Sequence, residues 1–320
     1  MYMKFISNPI SCVARIFSVS LSAATIISVA EGCSAQTLPL SEVTDGVFVF
    51  RGGYETMTSD NVGLVSNLGF IVGTHAVAVI DTGGSRKAGE RLLAAVRSKT
   101  SLPVHYVVNT HMHPDHVFGN AAFAGTGAIF VGHRRLKPAL AARGGHYLQR
   151  NAPLLGDALI GNIEIIPPQV EVSGTMELDL GNRRLVLEAH ATAHTDNDLT
   201  VFDVKSRTLF AGDLVFSRHI PALDGSITGW LDVMDELAAV PAERVVPGHG
   251  PASLPWPSGM SDQRRYLKAV AGDVRQFIRA GRTMDAAMEE AARGEAGNWL
   301  LFDEFHARNV AAAFAELEWE

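Results

Sequence analysis

The chain reads as an α/β protein on three observations. From residue 38 onward, strand-like apolar runs alternate with stretches of helical periodicity. Residues 75–80 and 104–108 are two such runs flanking an amphipathic stretch, the pattern of a strand–helix–strand unit. The second run opens directly into Asn109-Thr110-His111-Met112-His113-Pro114-Asp115-His116, which puts three imidazoles and a carboxylate within six positions. Strand ends on open α/β sheets are where sites form, and imidazole with carboxylate is the usual ligand set of a catalytic divalent metal. No histidine-rich tail or repeat accounts for the cluster, and Pro114 between apolar flanks argues for a buried, shaped turn.

With 320 residues, 47% hydrophobic and 19% charged, the chain can bury a large core and is too apolar to be disordered. A formal net charge of -7 argues against a nucleic-acid surface, which needs clustered Lys and Arg. No run of like charges is long enough to make an interaction tail.

Residues 1–35 read as an export signal. Lys4 and Arg15 precede an apolar stretch over residues 16–30, and Ala35 stands before the expected cleavage at Gln36. About fifteen mildly apolar residues are short for a membrane span. Lipid attachment at Cys33 is the other option, but Glu31 sits badly in such a signal. Cleavage after Ala35 removes both cysteines, Cys12 and Cys33, so residues 36–320 contain neither a disulfide nor a thiolate ligand. A periplasmic location suits such a chain, with no membrane span left after cleavage.

In chain order, residues 46–50, 69–73 and 75–80 are expected strands, the last ending in Asp81-Thr82-Gly83-Gly84. Ser85 opens a helix with Ala88, Leu92, Leu93 and Val96 on one face. Residues 128–131 form a short strand and residues 134–143 a helix, while residues 154–166 support no assignment. Residues 175–180 and 183–188 alternate around Gly181-Asn182 as a hairpin. Residues 199–204 and 208–211 pair around Lys205-Ser206-Arg207, and a helix over residues 228–239 leads to a strand at 244–247. Leu267, Val270, Val274, Phe277 and Ile278 mark one amphipathic helix, and residues 305–317 a second. With no linker between them, residues 36–320 are one domain.

Three more candidate ligands each follow an apolar strand: His194, Asp213 and His249. Alone, a Gly-Asp or Gly-His pair after a strand is as often a turn residue. In this order, after the histidine cluster and with Asp81 ending an early strand, they resemble the metallo-β-lactamase fold superfamily over residues 46–251. The resemblance implies a four-layer αββα sandwich with its metal site along one edge of two facing sheets. Residues 71–84, 192–200, 220–230 and 302–320 further resemble the exported zinc metallohydrolases of the quinoprotein relay system. That narrower likeness implies a functional link to a periplasmic quinoprotein dehydrogenase.

Carried over, the family pattern puts His111, His113 and His194 on one metal and Asp115, His116 and His249 on a second. Asp213 bridges them, for two zinc ions per chain. Neutral imidazoles leave Asp115 and Asp213 as the charge partners of two dications. Even with a bridging hydroxide the centre keeps a charge of about +1 and stays electrophilic. Asp115 is the expected catalytic residue, orienting the hydroxide and helping to protonate the leaving group, while Asp81 orients the loop from outside.

The expected activity is hydrolysis of an ester-like bond, a thioester, lactone or relative, in a small molecule. Many β-lactamases of this fold carry Cys or Ser where Asp213 stands, so β-lactam hydrolysis is an alternative reading. Persulfide dioxygenases hold one iron with two His and one Asp, here His111, His194 and Asp213, which makes iron a second alternative. A non-catalytic, metal-bearing partner of a periplasmic quinoprotein is the third. His75, His105, His133, His146 and His306 lack ligand spacing and read as structural or exposed. His190 is a candidate for the site wall, Arg218 and His219 for contact with a substrate carboxylate, phosphate or sulfate, and Trp230 for the core.

Overall fold

The computed structural model describes Met1 and residues 38–320, so the expected export signal falls outside the described residues apart from Met1. Two sheets organise the unit that holds residues 38–320. The first contains β1 (Leu40–Thr44), β2 (Val47–Phe50), β3 (Leu68–Val72), β4 (Val77–Ile80), β5 (Val104–Asn109), β6 (Ile129–His133) and β7 (Val170–Val172), side by side in that order. The second comprises β8 (Thr175–Asp179), β9 (Arg184–Ala189), β10 (Leu199–Asp203), β11 (Thr208–Phe216), β12 (Arg244–His249) and β13 (Leu254–Pro255). The helices are α1 (Arg86–Lys99), α2 (Pro114–Val117), α3 (Leu136–Leu155), α4 (Asp157–Ile160), α5 (Ile227–Ala238), α6 (Ser261–Arg279), α7 (Met284–Glu290) and α8 (Phe302–Leu317).

The layering follows from strand alternation. On β2, β3 and β4, Val47, Val49, Ile71, Ala78 and Ile80 face the second sheet, where Leu185, Leu187, Val201, Phe210 and Val246 meet them. Their neighbours Phe48, Phe70, Val77 and Val79 point the other way, onto Leu92 and Val96 of α1. On the far side of the second sheet, Leu209, Val215 and Val245 pack against Trp230, Leu267, Val270 and Phe314 from α5, α6 and α8. Helix, sheet, sheet and helix therefore stack as an αββα sandwich. Trp230 is fully buried in that outer core.

Parallel pairing makes the edge that carries the site. β4 runs parallel to β5 and β5 to β6, while β11 runs parallel to β12, so the carboxyl-terminal ends of β4, β5 and β12 bring Asp81, the 109–116 loop and His249 to one rim, where Asp213 stands within β11 just past the Gly212 bulge. A buried ion pair ties the sheets at the opposite hairpin. Arg183 grips Asp203 at 2.6 Å and also donates to the carbonyls of Val72 (2.9 Å) and Asp45 (3.1 Å).

Two elements depart from the sequence expectation. The helix expected over residues 134–143 runs on to Leu155, through Gly144-Gly145 and past Pro153, and ends at Gly156 with φ +75°. The strand expected at 208–211 continues to Phe216 because Gly212, at φ +51°, absorbs a bulge without ending the pairing. Among the described residues, no helix is long and apolar enough to cross a membrane.

Candidate metal centre

The 109–116 turn is braced from below. Asn109 and Asn120 exchange amide hydrogen bonds of 2.9 and 3.1 Å, and the Thr82 amide donates to the His116 carbonyl at 2.9 Å. Pro114 opens the short helix α2, where its missing N–H costs nothing. The turn thereby delivers His111, His113, Asp115 and His116 from one side. His194 arrives on the loop after β9, Asp213 from within β11, and His249 from the end of β12.

All seven expected ligands converge, and their donor atoms form two groups. Those of His111, His113, His194 and Asp213 lie within 4.8 Å of one another, as do those of Asp115, His116 and His249. Asp213 sits between the groups. Its Oδ1 is 3.2 Å from His116 Nε2, and its Oδ2 is 3.4 Å from His194 Nε2 and 3.5 Å from His249 Nε2.

Each imidazole is held by its outer nitrogen, which fixes the atom turned inward. His111 Nδ1 donates to Thr110 Oγ1 (3.0 Å), whose own proton goes to Asp81 Oδ2 (2.7 Å). His116 Nδ1 meets Asp81 Oδ2 at 2.8 Å, His194 Nδ1 the Ala222 carbonyl at 2.6 Å, and His249 Nδ1 the Val65 carbonyl at 3.1 Å. These four present Nε2 to the centre. His113 is reversed: its Nε2 donates to Asp224 Oδ2 at 3.0 Å, leaving Nδ1 inward.

Bare lone pairs therefore face one another, His113 Nδ1 lying 3.1 Å from His111 Nε2 and 3.0 Å from His194 Nε2. Tetrahedral ligands on a zinc ion stand about 3.3 Å apart, given metal–nitrogen bonds near 2.0–2.1 Å. His116 Nε2 and Asp213 Oδ1, buried and 3.2 Å apart, make no well-aligned hydrogen bond to each other or to any other group. Orphaned atoms and opposed lone pairs are what a cation would satisfy, and the donor set fits a divalent metal. The cluster is a His/Asp metal-binding site.

Its electrostatics point the same way. Burial holds His194 down to about 3, so that imidazole is neutral and ready to bind. Burial raises Asp213, but the imidazoles of His249, His116 and His111 outweigh it and keep the carboxyl well below its ordinary range. Burial likewise lowers His249, yet Asp213 and Asp115 facing it push it up to about 9. The carboxylates thus attract positive charge wherever they can find it.

Above the centre opens a cavity of about 700 Å³ whose wall includes His113, Asp115, Asp213 and His249. His219 belongs to this wall, its ring centred 4.8 Å from that of His249. Arg218 does not: it is exposed at φ +65°, and its backbone carbonyl accepts from Leu300. Nor does His190, which bonds Thr200 Oγ1 at 2.9 Å and lines a separate cavity of about 370 Å³ beside His133. His146, expected to be merely structural or exposed, is exposed and also borders the main cavity. Sequence reasoning misses Asp224, which orients His113 and also binds Arg143 at 2.7 Å; a lone Asp in a loop carries no signal.

A family model, the metallo-beta-lactamase superfamily, matches residues 61–249. The chain belongs to that superfamily. A linear primary-alkylsulfatase from Pseudomonas sp. is 21% identical over 211 residues, which are 55% of this chain and 40% of the alkylsulfatase. The chain thus spans less than half the length of that curated relative. Among solved structures, the metallo-beta-lactamase from Pontibacter korlensis is similar with a TM-score of 0.59 and 22% identity, covering 72% of this chain and 99% of that one. TMB-1 gives a TM-score of 0.57 at 21% identity, covering 72% and 97%. At such identities the structural likeness speaks to the fold, and the αββα sandwich of this superfamily member is the shared part.

Proposed function

We propose that the protein is an exported dinuclear zinc hydrolase that cleaves an ester-like bond, a thioester, lactone or relative, and works beside a periplasmic quinoprotein dehydrogenase. One observation carries the catalytic part: Asp213 of the first donor group lies 3.2 Å from His116 and 3.5 Å from His249 of the second, beside a cavity large enough for a small molecule. A mononuclear iron reading needs only His111, His194 and Asp213. It leaves Asp115, His116 and His249 converging without purpose, so the dinuclear reading is favoured. The likeness to an alkylsulfatase supports an ester-like class of substrate. Export rests on residues 1–35, and the quinoprotein link on the resemblance of residues 71–84, 192–200, 220–230 and 302–320.

When bound, two zinc ions supply a hydroxide nucleophile at neutral pH and polarise the bond under attack. The residues do the rest. Asp115 Oδ2 lies 3.2 Å from His249 Nε2 and 3.4 Å from His116 Nε2, and its partly exposed carboxylate reaches the cavity. It is placed to orient the nucleophile and to pass its proton to the leaving group. Asp213 holds the two donor groups together. Asp224, Asp81 and Thr110 lock the imidazoles so that no reorganisation is needed. Phe216 stacks on His249 with centroids 5.1 Å apart, and Trp230 backs His194 at 5.2 Å, which keeps water from behind the ligands.

The test is hydrolysis of thioester, lactone and chromogenic β-lactam probes by zinc-loaded wild type and by Asp213→Asn. The Asn variant keeps the shape but loses the bridging charge, so metal content and ester-type turnover both fall, turnover by orders of magnitude. An Asn variant with two metals and wild-type turnover overturns the assignment. Cleavage of the β-lactam alone overturns the substrate class.

A further inference from the structure

Beyond the bond cleaved, the cavity wall bears on what the rest of the substrate is. Helix α3 contributes Arg143, Tyr147, Arg150 and Leu154 to that wall. At three, four and seven residues apart they share one helix face. The Tyr147 ring is centred 6.1 Å from that of His113, and Arg143 reaches the same histidine through Asp224. From the other side α8 brings Phe305, whose ring centre is 5.2 Å from that of His219, and one turn later Arg308. The result is a trough with an apolar lining and three guanidinium groups along it.

The carboxylates that could neutralise these cations are accounted for. Asp224 is taken by His113 and by Arg143. Asp115 and Asp213 belong to the metal donor groups. Glu55, the remaining acid on the wall, makes no salt bridge to any of the three arginines among the described residues. Arg150 and Arg308 make no salt bridge and no side-chain hydrogen bond among the described residues, in a chain whose formal net charge is -7. Two unpaired guanidiniums on the same cavity wall as Tyr147, Leu154 and Phe305 fit one ligand chemistry, an oxyanion carried on an apolar body.

We propose that the substrate is an amphiphilic organic anion. Its carboxylate, sulfate or sulfonate is held by Arg150 and Arg308, its apolar part lies against Leu154, Tyr147 and Phe305, and its reacting group reaches the metals. This rests on the cavity being the substrate site of the hydrolase proposed above. Arg150 and Arg308 are substrate-positioning residues, and they set preference for charge without taking part in the chemistry.

Calorimetric titration of the metal-loaded protein with octane-1-sulfonate and with uncharged octane-1,2-diol tests this by binding, without calling on turnover. Wild type is expected to bind the sulfonate about tenfold or more tighter than the diol, a preference that shrinks as salt rises. Arg150→Gln/Arg308→Gln removes the preference and leaves metal content and diol affinity unchanged. The two single variants each lose part of it, so the comparison survives if the double variant does not fold. Equal affinities for the two probes in wild type, no binding of either, or an undiminished preference in the variants each overturns the proposal. Arginine-dependent sulfonate binding by a protein that cleaves no ester-type probe would leave this inference standing and sink the hydrolase reading instead.

Discussion

Gly248 stands between Pro247 and His249 on β12, directly beside Asp213 on β11, and replacing it with Ala probes the centre without touching a ligand. A Cβ there would lie 1.9 Å from Asp213 Oδ1, 2.8 Å from the Gly212 carbonyl carbon and 2.9 Å from the Asp213 amide nitrogen. Ordinary contact begins near 3.4 Å, so the carboxylate oxygen has to retreat by about 1.5 Å or the two strands have to part. Metal–ligand bonds tolerate roughly 0.2 Å. Either response pulls Asp213 off at least one donor group, and the wedge costs about 1–3 kcal/mol of stability. Gly248→Ala is therefore expected to fold, to lose at least one metal per chain after gel filtration, and to lose most turnover. Gly272 on α6 is the control, because a Cβ there meets nothing and Ala suits a helix. Gly248→Ala with full metal content and wild-type turnover would refute the packing on which the centre is built.

Other consequences follow from the same geometry. Asp224→Asn removes the charge that holds His113 by its Nε2, so affinity for one metal should fall about 10–100-fold while the other stays; equal loss of both in a metal titration would contradict the division. In the metal-free protein, His249 is raised from 6.5 to about 9 by Asp213 and Asp115, so its protonation stabilises the fold fully below pH 6.5. Melting temperatures of the metal-free protein should therefore drop as pH rises from 6.5 to 9; a flat profile would count against the facing carboxylates. Export predicts a mature chain starting near Gln36, and N-terminal sequencing that finds Met1 would rule it out.

The converging residues were readable in the sequence because each is a metal-ligand type placed directly after an apolar strand. His111 follows residues 104–108 and Asp213 follows 208–211. The inner and outer faces of the first sheet were also legible, since Val47-Phe48-Val49-Phe50 is apolar throughout, as a strand buried on both sides must be. Local propensity stops α3 at residue 143, since Gly144-Gly145 and Pro153 are breakers, but packing of Leu140, Tyr147 and Leu155 overrides it. The arginines of the cavity wall were invisible for a related reason: a polar helix face reads as solvated until another element is seen opposite it. Arg218 misled in the other direction, because proximity to Asp213 in sequence says nothing about where a residue at positive φ turns its side chain.

The metal content of the native protein tests most directly whether these seven residues hold two zinc ions. Inductively coupled plasma mass spectrometry on protein purified without added metal or chelator counts and identifies the ions in one measurement. The arrangement of two donor groups about Asp213 predicts about two zinc ions per chain, lost together when Asp213 is replaced by Asn. One iron per chain, with Asp115, His116 and His249 dispensable for binding it, would contradict the account.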